Sequence, residues 1–571
     1  MKEKLKTIGL TIVIALVLSL ILSALTSNVI IKVAVLAVLL VATLVVLLIK
    51  FKKAVLPIII PALISVLLSF FVPSVILWSI VVIIASFIIV EKIPNPYKTV
   101  IWMILVTISL TWILPTTDYD MSYGYGLIDE GTKTQLGLFD LFNYGPQSLA
   151  TCASIIIFIF AIGGFYGLLH KVAAYGNLLD TLAKRAKGKE SIVISIIMIL
   201  ITIFTSISGA SMGILIIVPF IISLLLSMGY NKMTAAMVTV GSIAVGVIGN
   251  LFSSTFVIDE AGYYILAENG MGVVNYFLDT KATSQVIVKI VILVFGLALL
   301  VFNTLKYANK NKTNKKEKTE ESMLASVTTD KKSKIWPVVL IIDLIFVIMI
   351  LSQISWTSVF GIKFFANITK IITKFEILGL PIFGKILGNV GAFEQWNLNS
   401  ITLLLFIASA VISLIYKINI KDYIESVSNG VKKAVKPAVL IFLIYLVKTI
   451  ITYNPFVITI VKPLVAKFNV FTSTLAMFVE NVFNFDLTYS TSKLIPYVVS
   501  VITDTKLYSI IGLIWQVMSG FVILVAPTSV ILLTILSYLD IPYGNWLKSN
   551  WKLLLEILGL ILIILTVLIL I

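Results

Sequence analysis

Residues 206–220 read SISGASMGILIIVPF, which sets polar residues inside an apolar part of the chain. The surrounding stretch, Ser191 to Met228, is nearly long enough to cross a bilayer twice. Hydrocarbon offers no partner for a backbone N–H or C=O, so a break at mid-depth is tolerated only where protein or a watery cavity surrounds it. The stretch therefore indicates either a site inside a membrane protein or an ordinary tight turn between two spans.

The composition of the 571-residue chain indicates a membrane protein under either alternative. Hydrophobic residues make up 59% of it and charged residues 12%, whereas a soluble domain is roughly half apolar and a quarter charged. The formal net charge of +16 comes from lysines in short patches between apolar runs. Positive-inside orientation explains this pattern, so nucleic acid is not an expected partner. We predict an all-α polytopic membrane protein with about 12–16 apolar segments in two related halves. Discontinuous helices are expected, and re-entrant hairpins are an alternative to full crossings.

Residue counts exclude several kinds of catalytic site. Cys152 is the single cysteine and His170 the single histidine. A disulfide framework, a thiolate metal cluster, a histidine zinc site and a Ser-His-Asp triad are therefore not expected. The chain also lacks a nucleotide-binding motif. We expect a protein that is not an enzyme and that holds no cofactor. The only metal ion expected is Na⁺, and H⁺ is the alternative to it.

The lysine pattern divides the chain into four parts. We predict extra N-terminal transmembrane helices in 1–95, a first repeat in 96–305, a linker in 306–335 and a second repeat in 336–571. The linker has nine lysines against four acids, a net of 9 − 4 = +5, and we expect it to be solvated and cytoplasmic. The first 28 residues resemble a signal peptide, but a second apolar run that follows them favours a helical hairpin.

A second interruption stands near the end of the other half, where residues 518–536 read MSGFVILVAPTSVILLTIL. Pro527 removes a backbone donor, and serine or threonine after it can cap the helix that follows. Paired interruptions in two halves point to the substrate site of a secondary transporter. We expect the two breaks to converge and to present helix N-termini to a small carboxylate. Ser208 or Ser211 would cap the segment that resumes near Met212. The predicted substrate-binding residues of the breaks are Ser208, Gly209, Ala210, Ser211, Pro527, Thr528 and Ser529.

The segment after the first break, residues 229–256, combines glycines with a polar end. Its neutral oxygen ligands are of the kind that suits Na⁺. We predict a coupling-ion site at Asn250, Ser253, Ser254 and Thr255. A glycine-packed helix with a polar end at the membrane surface is the alternative.

Three ionisable residues inside or beside apolar runs complete the candidate site. Asp343 would bind a coupling proton or form a structural pair. Lys448 would be the counter-charge of the carboxylate, unless its long stem reaches the nearby helix end. Asp486 would line a cation path, although a solvated helix end has the same pattern.

Five segments in order resemble the YfcC-like branch of the C4-dicarboxylate anaerobic carrier (DcuC-like) family of the ion transporter superfamily. They are LTWILPTTDYD (110–120), LGLFDLFNYGPQSLA (136–150), AIGGFYGLLHKVAAYGNLLD (161–180), the 206–256 region and PTSVILLTILSYLDIPYGNWLK (527–548). The likeness runs over most of 99–571 and leaves residues 1 to about 95 outside. It implies two related repeats, each with a re-entrant hairpin and a discontinuous helix, which move carboxylates or amino acids by an elevator-like motion.

These observations predict a multi-pass secondary transporter of the plasma membrane. Its substrate would be a small carboxylate, either a C4-dicarboxylate or an amino acid, and its energy source a Na⁺ gradient, an H⁺ gradient or exchange. The expected partners are the small-molecule carboxylate and the lipid bilayer, and a homodimer stays open. A passive channel or exporter for small anions is the first alternative, and an integral-membrane enzyme on a lipid-linked substrate is the second.

Overall fold

The structure is a computed structural model, and it describes most of the chain beyond residue 92. The described residues are 93–114, 135–209, 211–252, 256–258, 264–266, 274, 278–281, 284–312, 333–354, 356–357, 360–377, 379–388, 391–393, 396–466, 468–483, 495 and 498–570. The described helices of the first part are α1 (Tyr97–Ile113), α2 (Asp140–Lys171), α3 (Ala173–Ala186), α4 (Glu190–Ser208), α5 (Val218–Ser227), α6 (Lys232–Ala236), α7 (Ser242–Ile248) and α8 (Val286–Lys310). Those that follow are α9 (Trp336–Gln353), α10 (Phe364–Lys374), α11 (Ile382–Leu387), α12 (Leu398–Ile415), α13 (Ile420–Tyr453), α14 (Val457–Ala466), α15 (Val470–Phe483), α16 (Tyr508–Val525), α17 (Val530–Tyr538) and α18 (Tyr543–Leu570).

The described residues form an all-α polytopic membrane protein, as the composition predicts. Eight helical segments among them are long and apolar enough to cross a bilayer. A π-helical turn, Met237–Gly241, joins α6 to α7, and 3₁₀ turns precede α5 and α16 at Gly213–Ile216 and Thr505–Leu507. Strands β1 (Phe256–Ile258) and β2 (Tyr264–Leu266) pair antiparallel, with Val257 opposite Ile265. The predicted N-terminal helices of 1–95 lie outside the described residues up to residue 92.

The predicted linker begins later than residue 306, because α8 continues to Lys310. Thr304 and Ala308 are buried one turn apart, so the packed face of α8 extends past the apolar run. Just beyond the helix, Lys312 Nζ lies 3.0 Å from Glu190 Oε1 at the start of α4. The lysine-rich segment therefore begins at a helix end that an ion pair holds against the start of α4.

Residue contacts divide the chain into two compact units. One unit comprises 1–144 and 450–459, and the other comprises 145–449 and 460–571. In the first unit, the Trp112 indole donates to Leu136 O over 2.7 Å at the end of α1. The rings of Tyr144 and Tyr453 stack with their centroids 4.9 Å apart. These contacts tie the ends of three helices together.

In the second unit, α2 and α13 pack antiparallel at very short range. Ser148 Oγ donates to Thr449 Oγ1 over 2.7 Å at one end of the contact, and Lys171 pairs with Asp422 over 3.2 Å at the other. Between them the backbones touch, because a Cβ added to Gly430 would lie 2.0 Å from Gly163 O. Small residues permit this close approach of membrane helices.

Helix α4 and the helix formed by α6 and α7 run parallel. Thr202 Oγ1 donates to Ser242 O over 3.2 Å, and Ser206 Oγ donates to Gly249 O over 2.7 Å, so both sets of residues advance in the same direction. The chain between them, 209–231, must therefore return to the side from which α4 began. Residues 191–228 form a hairpin whose two ends lie on one side of the bundle.

The second half repeats this arrangement. Helices α15 and α16 also run parallel, with Phe478 beside Phe521 (ring centroids 6.1 Å apart) and Thr528 Oγ1 donating to Val482 O. Helices α7 and α16 run antiparallel, because Gln516 contacts Asn250 whereas the later Gly520 contacts Ile248. Two parallel pairs that meet antiparallel are the arrangement of an inverted repeat. The predicted pair of related halves is consistent with this geometry.

Candidate functional site: two helix breaks

The first interruption is a true helix break. Helix α4 ends at Ser208, and Gly209 adopts a left-handed conformation with φ 66° while its N–H bonds to Thr205 O. A glycine in this conformation commonly ends a helix because it carries no Cβ. Ser208 Oγ donates to Phe204 O over 2.8 Å within its own helix. The residue before the 3₁₀ turn at Gly213 is Met212, whose side chain does not cap it, and the capping by Ser208 or Ser211 stays a prediction.

The break lies inside the bundle, at a level between the two ends of α8. A Cβ added to Gly249, which is bonded to Ser206, would lie 2.6 Å from Leu293 Cβ. Leu293 is seven residues from the start of α8, or about 10 Å along the helix. Helix α8 is about 37 Å long. The tip of the 191–228 hairpin therefore lies about 10 Å short of the first residue of α8. This depth favours a re-entrant hairpin over two full crossings.

The break brings Ser206 and Asn250 together, as residues of two separate segments. Leu251 N donates to Ser206 O over 2.9 Å, which holds the end of α7 against the end of α4. The Asn250 side chain is only 1% exposed, and neither its oxygen nor its nitrogen has a hydrogen-bond partner among the described residues. A buried amide without partners costs about 1–3 kcal/mol. Such a group at a helix break is a candidate ligand for an ion or a substrate. Ala210, Ser253, Ser254 and Thr255 lie outside the described residues.

Sequence reasoning missed Gln516, which fixes this break from the opposite half. Its Nε2 donates to Asn250 O over 2.8 Å and to Ile248 O over 3.3 Å. Gln516 is 1% exposed. The signal was a lone amide in the apolar run IIGLIWQVMSGFVILV. A polar side chain at that depth requires a partner inside the bundle.

The second interruption is also present, between the end of α16 at Val525 and the start of α17 at Val530. Ser529 caps α17, because its Oγ accepts from Leu532 N over 3.2 Å, as predicted. Thr528 does not cap but donates to Val482 O near the end of α15. The first amides of a helix have no partner within it. The backbone N–H groups of Val530 and Ile531 donate no hydrogen bond to any residue that the structure describes.

The structure does not bring the two breaks to one point. Gln516, which contacts Asn250, and Ala526 are ten residues apart on α16, or about 15 Å along its axis. Each break instead meets the end of a neighbouring helix of its own half: Ser206 meets Gly249, and Thr528 meets Val482. Helix packing, not proximity of the two interruptions, therefore determines which groups line each break.

The charged candidates lie at other places. Asp343 is on the exposed face of α9, and it is ten residues, or about 15 Å, from Gln353, whose side chain lies beside Gly213. Lys448 lies on α13, with its Nζ 5.2 Å from the centroid of the Tyr445 ring and one residue from the Thr449–Ser148 bond to α2. Asp486 lies outside the described residues. The roles of all three stay predictions.

Comparison with known families decides the class of protein. The family model of the C4-dicarboxylate anaerobic carriers, DcuC, matches residues 33–571. The chain belongs to this family. The match begins at residue 33, so the expectation that residues 1 to about 95 lie outside the resemblance was wrong from that residue onward. Membership confirms a membrane transporter and not an enzyme.

Two solved transporter structures match this chain at low similarity. The YdaH transporter of Alcanivorax borkumensis has 13% sequence identity and a TM-score of 0.40, and the alignment covers 83% of this chain and 98% of that one. MtrF of Neisseria gonorrhoeae, described within a class of antimetabolite efflux pumps, has 12% identity and a TM-score of 0.32, covering 84% and 97%. None of the curated proteins compared with the chain matches it.

Proposed function

We propose that the protein is a secondary active transporter of small carboxylates, either C4-dicarboxylates or amino acids, in the plasma membrane. The energy source is a Na⁺ gradient, with an H⁺ gradient or exchange as the alternatives. The observation that carries the proposal is the buried, unpartnered Asn250 amide at a helix break. Family membership supports the carboxylate, because the matching family is described by C4-dicarboxylate transport.

The first break is the proposed site of the coupling ion. Asn250 offers a neutral amide oxygen and lies beside the end of α4. Neutral oxygens are suitable ligands for Na⁺. An amide does not titrate in the physiological range, so it favours Na⁺ over H⁺ at this point. Ser253, Ser254 and Thr255 follow in the chain and would complete the ligand set.

The second break is the proposed contact for the carboxylate. The amides of Val530 and Ile531 stand at the first turn of α17, where the helix dipole favours negative charge. Thr528 and Ser529 add hydroxyl groups, although both already hold protein partners. The first break lies about 15 Å from this point along α16, so a small carboxylate held at α17 does not reach Ser208, Gly209 or Ser211. Their role as substrate contacts stays a prediction, as does that of Lys448 as the counter-charge. An elevator-like movement of the broken helices would expose both breaks to either side in turn.

Uptake into proteoliposomes tests the proposal. The purified protein is expected to accumulate a labelled C4-dicarboxylate or amino acid when an inward Na⁺ gradient is imposed, and to show counterflow. Asn250→Ala is expected to weaken the dependence on Na⁺, because it removes the amide oxygen. Asn550→Ala is the matched control, since Asn550 is also a buried asparagine with an unpartnered Oδ1. It lies within α18, where its Nδ2 donates to Trp546 O, and not at a helix break.

Three outcomes would count against the proposal. Rates that neither saturate nor show counterflow would indicate a channel. Uptake that depends on a proton gradient and not on Na⁺ would show that Asn250 does not bind the coupling ion. Equal losses in Asn250→Ala and Asn550→Ala would show that the first variant acts through stability alone.

A further inference from the structure

The segment between α9 and α12 is placed by the two helices that flank it. Gln353 Nε2, at the end of α9, donates to Trp396 O just before α12 over 3.3 Å. At the opposite ends of the same helices, Tyr416 OH donates to Lys334 O over 2.7 Å. Both helices are long and apolar enough to cross a bilayer. Residues 354–397 therefore emerge at the bilayer surface opposite the lysine-rich linker.

Helix α10, in this segment, has one apolar side and one polar side. At 100° per residue, its large apolar residues share an arc of about 120°. Those residues are Phe364, Phe365, Ile368, Ile371 and Ile372. Asn367 and the remaining polar residues, Thr369, Lys370, Thr373 and Lys374, occupy the rest of the circumference.

The protein leaves most of the apolar side of α10 open. At one edge of that side, Phe365 packs against Trp356 and Phe393, with ring centroids 5.0 and 5.6 Å apart. Helix α11 packs against the other side, because a Cβ added to Gly384 would lie 2.3 Å from Thr373 O. No residue of α10 is buried, and Ile371 is 66% exposed while Phe364 is 59% exposed. On α11, Ile386 is 74% exposed. The α10–α11 hairpin therefore presents an exposed apolar surface, whose residues are Phe364, Ile368, Ile371, Ile372 and Ile386.

Charge and position identify the occupant as lipid. Residues 363–385 contain four lysines and one acid, Glu376, a net of 4 − 1 = +3. Lysines beside an apolar helix face are typical of helices that lie in the membrane interface and contact anionic headgroups. The surface also continues the lipid-facing residues of the flanking spans, among them Leu344 and Leu403. A soluble protein bound to this face would not account for the lysines of α10, which at the bilayer surface lie close to lipid phosphate.

We propose that α10 and α11 form a membrane-binding hairpin in the leaflet opposite the linker. The apolar side of α10 inserts about 5–10 Å into the boundary between headgroups and acyl chains. Lys370 and Lys374 lie at the headgroups and bind anionic phospholipid. This surface is independent of the transport site, so its test does not depend on the proposed function.

Spin labels on the full-length protein test the insertion. Ile371→Cys and its neighbour Lys370→Cys, each in a Cys152→Ser background, place one label on the apolar side of α10 and one on its polar side, 100° apart. In vesicles of phosphatidylethanolamine and phosphatidylglycerol, we expect the 371 label to collide with oxygen at a depth of about 5–10 Å. The 370 label is expected to collide with a water-soluble nickel complex instead. Ile386→Cys repeats the first measurement on α11 in case Ile371→Cys fails to fold.

Defined outcomes would overturn the proposal. Equal access of nickel to the 370 and 371 labels would show that the hairpin does not touch the membrane. Spin–spin broadening at 371 that disappears on dilution with unlabelled protein would show that a second copy covers the surface. The lipid preference is tested with phosphatidylcholine alone and with a Lys370→Gln/Lys374→Gln variant carrying the 371 label. Both should make that label shallower, and an unchanged depth would refute binding of anionic phospholipid.

Discussion

Gln516→Leu tests the link between the two halves at the first break. The change keeps the size of the side chain but removes the donor to Asn250 O and Ile248 O, at 2.8 and 3.3 Å. Both acceptors are buried with Gln516, and a buried carbonyl that loses its donor costs about 1–3 kcal/mol. If that energy positions the ion site, the Na⁺ concentration for half-maximal uptake rises roughly 5- to 150-fold, at 1.4 kcal/mol per tenfold.

The assay is carboxylate uptake into proteoliposomes as a function of external Na⁺ at a fixed membrane potential. Thermal unfolding of each variant is measured in the same lipid. Ser509→Ala is the matched control, because it removes a different interhelical bond of α16, the one that Gln285 Nε2 donates over 3.0 Å. We expect the control to retain the Na⁺ dependence of the parent protein. The reasoning is refuted if Gln516→Leu unfolds at a lower temperature yet keeps its Na⁺ dependence, or if both variants shift it equally.

Two further changes examine other parts of the account. Gly430→Ala places a Cβ 2.0 Å from Gly163 O and should destabilise the protein by about 1–3 kcal/mol. Thermal unfolding checks this against Gly559→Ala, where nothing lies within 4 Å, and equal midpoints would contradict the close packing of α2 and α13. Lys448→Met should weaken the apparent affinity for carboxylate roughly tenfold or more if the lysine binds the substrate. If uptake titrations show an unchanged apparent affinity for carboxylate, Lys448 has only a structural role beside Tyr445.

Hydropathy and residue type were enough to predict the helices and their interruptions. The apolar run of 336–353 coincides with α9, and Gly209 and Pro527 mark the two breaks. Ser529 acts as the predicted cap because a capping bond is local and depends on only a few successive residues. These features follow from the chain itself and from the requirement that backbone groups in lipid find partners.

The contacts around the breaks were not predictable in the same way. Ser208 donates to Phe204 O, because its own helix offers an acceptor four residues earlier. The pairing of Ser206 with Gly249 and of Gln516 with Asn250 depends on the directions in which helices pack. A linear sequence does not contain those directions. Asp343 on the exposed face of α9 and the open face of α10 depend on the same tertiary information.

Substrate protection of a single cysteine tests most directly whether a broken helix touches the carboxylate. Ser529→Cys, in a Cys152→Ser background, places a thiol at the first turn of α17. A C4-dicarboxylate or amino acid that the protein transports should slow labelling of this thiol by a charged methanethiosulfonate, and a carboxylate that is not transported should leave the rate unchanged. If a transported carboxylate does not alter the labelling rate while the variant still takes it up, the substrate does not bind at this break.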